Sequence, residues 1–229
     1  MRTTSVAALW LAATLSLVGC VAGDDAQFSD DESSSDGKAD GAAVSIANAI
    51  RGLRFTLPSS ALRGRPNTSL SKGSYLAIDL PVAGYAAIEA SVVTTSHVAL
   101  KTRGEAHVTV ITPPEFSALS QKLSMADLDG LAKSMNVGGA DLQAQCVGVG
   151  AKGLADQTVY VVVTSQRIAA YRAQVATTFR ARGGSPSAFD AASYHPHATI
   201  GFTKRDLHES DGVIKDVASC PTRDNLLVQ

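Results

Sequence analysis

The tightest constraint on this chain is the short apolar stretch Ala106-His107-Val108-Thr109-Val110-Ile111-Thr112. Its β-branched residues favour a strand, and side chains in a strand alternate between faces. His107 and Thr109 therefore share one face, with Val108 and Val110 on the other. The pattern returns at His197-Ala198-Thr199-Ile200, where Ala198, Ile200 and Phe202 fall opposite His197 and Thr199. The chain has five histidines, and two of them occupy the same His-x-Thr context inside apolar strands. Any fold for this sequence has to bury the aliphatic faces under helices and leave both polar pairs on an open side.

Two imidazoles and two hydroxyls on open strand faces suit a phosphate site. Histidine titrates near about pH 6.5, so one ring can accept a proton while the other donates one. Flanking hydroxyls can donate hydrogen bonds to non-bridging phosphoryl oxygens. Such a set suffices for in-line attack on a phosphodiester without a metal.

His107-Val108-Thr109-Val110 and His197-Ala198-Thr199-Ile200 resemble the twin His-x-Thr-x (HxTx) signatures of the two-histidine (2H) phosphoesterase superfamily. The wider stretches, Arg103 to Phe116 and His197 to Lys204, are most similar to its Swiss-army-knife, RNA-repair-associated branch. The resemblance spans roughly Tyr75 to Lys215 and rests on the two motifs. It implies an α+β, bilobal fold with two antiparallel sheets, flanked by helices, around a central cleft with pseudo-twofold symmetry. It also implies His107 and His197 as the catalytic acid/base pair and Thr109 and Thr199 as phosphate-binding residues.

The expected activity is that of a cyclic phosphodiesterase, a metal-independent hydrolase opening a 2',3'-cyclic nucleotide or RNA end. The alternative is a non-catalytic phosphate- or nucleotide-binding envelope lipoprotein. The expected partner is a phosphodiester-containing small molecule or RNA end, met by a monomer. Further candidates for substrate binding are Arg103 and Lys204, whose charges flank the motifs, His195, on the face of His197, and Tyr194, which could stack a base. Phe202 is assigned to the core face, and His97 and His208 to the surface. No Cys-x-x-Cys or His-Glu-x-x-His spacing occurs, so neither a zinc site nor a cofactor is expected. No block of basic residues with interleaved aromatics supports a broad nucleic-acid surface.

The N-terminus reads as an export signal. Met1-Arg2 is a positive start, residues 6–18 form an apolar run, and Leu17-Val18-Gly19-Cys20 follows. This arrangement resembles a bacterial lipoprotein precursor, with residues 1–19 as signal peptide and Cys20 as the lipidation site. Residues 20–43 form an acidic, serine-containing tether that can bury little. The implied location is the cell envelope, through an N-terminal lipid anchor in the membrane. The whole chain carries 20 basic and 21 acidic residues. Setting Arg2, Lys38 and the seven acids of the tether aside leaves residues 44–229 mildly basic, which tolerates an anionic ligand.

Residues 44–229 form one domain. The pattern predicts helices over 44–53, 83–94, after Thr112, after Ser124 and around Ile168 to Phe179, with a loop from Leu57 to Gly73. Strands are expected at 75–80, 106–111, 143–149, 158–164 and 195–202. Thr112-Pro113-Pro114-Glu115 reads as a capping box with proline at the first helical position, and Ser124 as a second N-cap. Arg167, Arg172, Arg180 and Arg182 are assigned to the solvated face of the last helix. Cys146 and Cys220 are left as a candidate disulfide of an exported protein.

Overall fold

The structure, a computed structural model, describes residues 44–229. The signal sequence, Cys20 and the acidic tether lie outside the described residues. From the N-terminal side, helix α1 (Ile46–Ala49), strand β1 (Phe55–Leu57), strand β2 (Leu76–Leu80) and helix α2 (Ala83–Ser96) precede the first motif strand, β3 (Ala106–Ile111). Helices α3 (Pro113–Leu119) and α4 (Met125–Ser134) follow, then strands β4 (Gln143–Lys152) and β5 (Asp156–Thr164), and helix α5 (Gln166–Ala181). The second motif strand is β6 (His197–Phe202), and β7 (Leu226–Val228) closes the fold.

Five strands form one antiparallel sheet in the order β2-β3-β6-β5-β4. This α+β arrangement corrects the expectation of two antiparallel sheets, because the two motif strands pair with each other and fuse the halves into a continuous ladder. The second sheet is small and parallel, β1 with β7. Three-residue strands separated by most of the chain carry no periodicity long enough to read. Asn225, just before β7, uses its side-chain amide to bond both the N–H and C=O of Val147 at 2.9 Å each, which ties this small sheet to the edge of β4.

The register explains where the core sits. Ile78, Val108, Ala198, Val161 and Val147 form one cross-strand row through all five strands. Each of them is essentially inaccessible to water, and burying a side chain of this kind contributes about 1.5–3 kcal/mol. The rows to either side carry the polar motif residues on the opposite face. Odd and even positions thus divide the sheet into a packed side and a functional side.

The helix starts follow their caps. Thr112 accepts from the N–H of Glu115, whose carboxylate accepts from the N–H of Thr112 at 2.8 Å. Ser124 and Asp127 repeat the reciprocal bond at the start of α4. Leu123 is buried but lies beyond α3, which ends at Leu119. At the N-terminus, α1 is a single turn, shorter than expected, since the chain leaves the helix at Ile50 to enter β1. The stretch expected as loop from Leu57 to Gly73 contains a short 3-10 helix, Ser59–Leu62.

Arg172 departs from its assignment to a solvated face. It lies on the buried stripe of α5, between Ile168 and Val175, and is 0% exposed. Its guanidinium bonds both carboxylate oxygens of Glu115, at 2.6 and 3.1 Å. Arg180 and Arg182 are exposed. Cys146 and Cys220 form a disulfide, with Cα atoms 6.2 Å apart, pinning the C-terminal segment to the functional side of β4.

Candidate active site

Val108 of β3 pairs with Ala198 of β6 in the antiparallel ladder. Counting outward from that pair sets His107 opposite Thr199 and Thr109 opposite His197. The neighbouring strands agree with this register: Asp79 pairs with His107 and Ala77 with Thr109, while Tyr160 pairs with Thr199 and Val162 with His197. All four motif side chains therefore emerge on one face and are partly buried. The two histidines are diagonal neighbours, a relation spanning about 7–8 Å in an antiparallel pair, which leaves room for a phosphoryl group between the rings.

The His107 side of this face forms a recess lined by Arg103, Glu105, His107, Thr199 and Phe202. Gly104, at a φ of 68°, turns the chain ahead of β3 so that Arg103 and Glu105 both reach it; a β-carbon in that backbone conformation is strained. The ring of Tyr75 stands 6.1 Å from that of His107. Glu105 Oε1 lies 3.4 Å from His107 Nδ1. Burial lowers the pKa of His107 below its ordinary value, opposed chiefly by the charge of Glu105.

His197 is held differently. Its Nδ1 lies 2.8 Å from the His195 carbonyl oxygen, and since a carbonyl can only accept, Nδ1 carries the hydrogen, which in the neutral ring leaves the lone pair on Nε2. Burial, then the positive charge of Lys215, push its pKa down to about 3. The ring packs edge-on against Tyr160, with centroids 5.8 Å apart. One imidazole is thus fixed in a neutral tautomer, and the other sits beside a carboxylate.

Phe202 faces the functional side, which corrects its assignment to the core. A bulge in β6 opposite Val159 and Tyr160 shifts the alternation by one residue, so that Phe202 pairs with Thr158 in the same parity as Thr199 with Tyr160. Tyr194 is engaged elsewhere. Its ring lies 4.2 Å beneath the Arg172 guanidinium and its hydroxyl donates to the Thr109 carbonyl. Burial raises its pKa. It ties the segment ahead of β6 to the β3 backbone, with one ring face taken by Arg172. Lys204 is exposed and paired with Asp156 at 3.4 Å, away from the recess. His195 is partly buried, with Nε2 3.9 Å from Glu209, and meets the site through its carbonyl. Of the flanking candidates, Arg103 is the one that lines the recess.

Two functional-side residues carry no sequence signature. Asp206 and Lys215 are 8% and 3% exposed, and their Oδ1 and Nζ are 2.8 Å apart. Asp206 Oδ2 accepts from the Thr199 hydroxyl at 3.3 Å and lies 3.4 Å from the Arg103 guanidinium. Seven residues separate Thr199 from Asp206, across the end of a strand, and no periodicity links such positions.

The comparison with family models decides the assignment. The Swiss Army Knife, 2H phosphoesterase domain matches residues 74–208, more than half of the chain, including both motifs. The chain belongs to the 2H phosphoesterases. No curated protein and no solved structure matches it. Membership places the domain among hydrolases of phosphoesters, and the mixed α+β architecture is consistent with it.

Proposed function

We propose that this 2H phosphoesterase domain opens a cyclic phosphodiester, of the 2',3'-cyclic nucleotide or RNA-end type, by His/His acid–base catalysis without a metal. The observation that carries the reading is the antiparallel register of β3 and β6, which interlocks the two HxTx motifs on one face. Related by the local dyad of that pairing, each imidazole has the other motif's hydroxyl opposite it, the arrangement a phosphoryl group held between two threonines requires.

The tautomers suggest the roles. His197 Nε2, unprotonated and backed by the His195 carbonyl bond, takes a proton from the attacking water. The water oxygen bonds to phosphorus, and the bond from phosphorus to a ribose oxygen breaks. His107, whose charged form is favoured by Glu105 and by the anionic substrate itself, protonates that leaving oxygen. Thr109 and Thr199 donate to the non-bridging oxygens, and Arg103 offsets their charge.

The test is turnover of 2',3'-cyclic nucleotides and cyclic-phosphate RNA ends, with a chelator present, by wild type, His107→Ala and His197→Ala. Wild-type activity that survives the chelator and falls about 10²–10⁴-fold in each variant is expected. A wild type inert on the whole panel, or two fully active variants, sinks the proposal. A monomer anchored in the cell envelope through lipid on Cys20 completes this reading. Fatty-acid labelling that is present in wild type and lost in Cys20→Ala is the corresponding result, and labelling retained in that variant rejects the anchor.

A further inference from the structure

The phosphoesterase chemistry uses four motif residues, yet the most heavily buried charges on the functional side are Asp206 and Lys215. Burying two charges costs several kcal/mol per ion before their attraction is counted, so a pair at this position invites a reason beyond packing. The surroundings supply one. Arg205 and Leu207, either side of Asp206, are fixed by the buried hydroxyl of Thr158, which accepts from the Leu207 N–H at 2.9 Å and contacts the Arg205 carbonyl at 3.5 Å. The direction of the Asp206 carboxylate is therefore set by the sheet. Its Oδ1 is committed to Lys215, whereas its Oδ2 meets Thr199 and Arg103 through two longer contacts.

These two donors are groups that would hold phosphoryl oxygens in the proposed reaction. Both point to one carboxylate oxygen, an anion already seated beside the place the substrate's anion would take. The contacts of 3.3 and 3.4 Å are at the weak end for such bonds, so a dianionic transition state can draw them away. Lys215 reaches the same motif from the other side. Its Nζ stands 5.4 Å from the centroid of the Tyr160 ring, the ring against which His197 packs.

We propose that the buried Asp206–Lys215 pair is a positioning device for the second motif. Asp206 aims the Thr199 hydroxyl and the Arg103 guanidinium at the phosphoryl position, and Lys215 both anchors Asp206 and sets a fixed positive charge behind His197. The inference rests on the phosphoesterase reading for its first half and, for its second, on the placement of Lys215 against the ring on which His197 packs. Tyr160 packs against the His197 ring, and the charges of Lys215, Asp206 and His208 act on it, so neutralising either member of the pair changes the field at that ring in a known direction.

The variants are Asp206→Asn, Lys215→Met and the double substitution, which removes both charges and keeps the fold's volume if one single variant fails to fold. Two measurements are made on each: kcat/KM for a 2',3'-cyclic nucleotide, and the titration of His197 followed by NMR of its imidazole. In Asp206→Asn the amide nitrogen can no longer accept from Thr199 or Arg103, and kcat/KM falls about 10–100-fold, as expected for misplaced reacting groups. The His197 titration moves to lower pH in Asp206→Asn, to higher pH in Lys215→Met, and back toward wild type in the double variant. A purely structural role moves neither titration. Wild-type kcat/KM in Asp206→Asn overturns the positioning role, and unmoved His197 titrations in all variants overturn the charge role. If the wild type turns over nothing while the titrations shift as stated, the phosphoesterase reading fails and the action of the pair on His197 stands.

Discussion

The guanidinium of Arg172 and the carboxylate of Glu115 meet through two bonds, at 2.6 and 3.1 Å, in the packed interior behind the first motif strand. Glu115 is at once the third residue of the α3 capping box and the partner of a buried cation. Arg172 also donates to the carbonyls of Val110, at the end of β3, and of Asp190 and Ala191, ahead of β6. One side chain thus braces the exit of the first motif strand and the approach to the second. The planar fork of arginine suits this, since it serves several acceptors at fixed angles and stacks on the rings of Phe189 and Tyr194 at 4.9 and 4.2 Å.

Arg172→Met is therefore expected to lower the unfolding free energy by about 3–5 kcal/mol, the usual cost of breaking a buried pair and orphaning its partner. Lys, which cannot fork, recovers only part of it. Urea denaturation followed by circular dichroism measures this, and a loss below about 1 kcal/mol, the range of a surface ion pair, contradicts the bracing role.

How far the sequence carries this site can be followed residue by residue. His107, Thr109, His197 and Thr199 were legible because a strand's period of two is rigid and their aliphatic neighbours mark the buried face. The caps at Thr112 and Ser124 were legible because they depend on residues three apart. Phe202 was misplaced because a bulge resets the alternation without changing composition. Arg172 was misplaced because charge was weighed above position: it lies four residues after Ile168 and three before Val175, on the apolar stripe itself. Asp206 and Lys215 reach the site through a turn and a long covering segment, contacts that no local pattern encodes. The union of the strands into a single sheet depends on which edges meet, and that is a matter of tertiary packing rather than of any strand's own residues.

Thr109→Val and Thr199→Val keep the β-branched shape of the strand while deleting the hydroxyl. If these groups stabilise the transition state, each variant loses about 10²–10³-fold in kcat, the scale of removing one donor from a charge-stabilising site, with little change in melting temperature. Steady-state kinetics on a 2',3'-cyclic nucleotide beside a thermal melt checks both halves. Valine variants that turn over at the wild-type rate remove the threonines from the chemistry.

The disulfide between Cys146 and Cys220 closes a stretch of 74 residues, and in the chain-entropy account a loop of that size stabilises the fold by about 4 kcal/mol. It also holds the segment carrying Val213, Lys215 and Ser219 against β4, where glycines make room for it: a β-carbon on Gly148 would stand 2.6 Å from Ser219 Oγ, and one on Gly150 2.2 Å from Val213 Cγ1. Cys146→Ser with Cys220→Ser is expected to cost about 2–5 kcal/mol and to raise amide exchange in residues 203–220 ahead of α2 and α5. Uniform exchange across the domain, with no early loss in that segment, counts against the pinning role.

Acid stability follows from His197. Its native pKa of about 3 lies below its ordinary value of 6.5, so between these pH values the unfolded chain binds a proton that the native state refuses. Stability from this group is fully present above about pH 6.5 and is lost progressively as pH falls toward 3, at up to about 1.4 kcal/mol per pH unit for a single site. His107 and His208, both shifted downward with burial as the largest cause, act in the same direction over the upper part of that window. Urea midpoints measured from pH 7.5 to pH 4.5 should fall steadily in wild type and fall less in His197→Asn, which keeps a side-chain N–H for the His195 carbonyl and has no proton to gain. Equal slopes for the two proteins place the acid sensitivity on carboxylates instead and deny His197 the desolvated, neutral state on which its role as base depends.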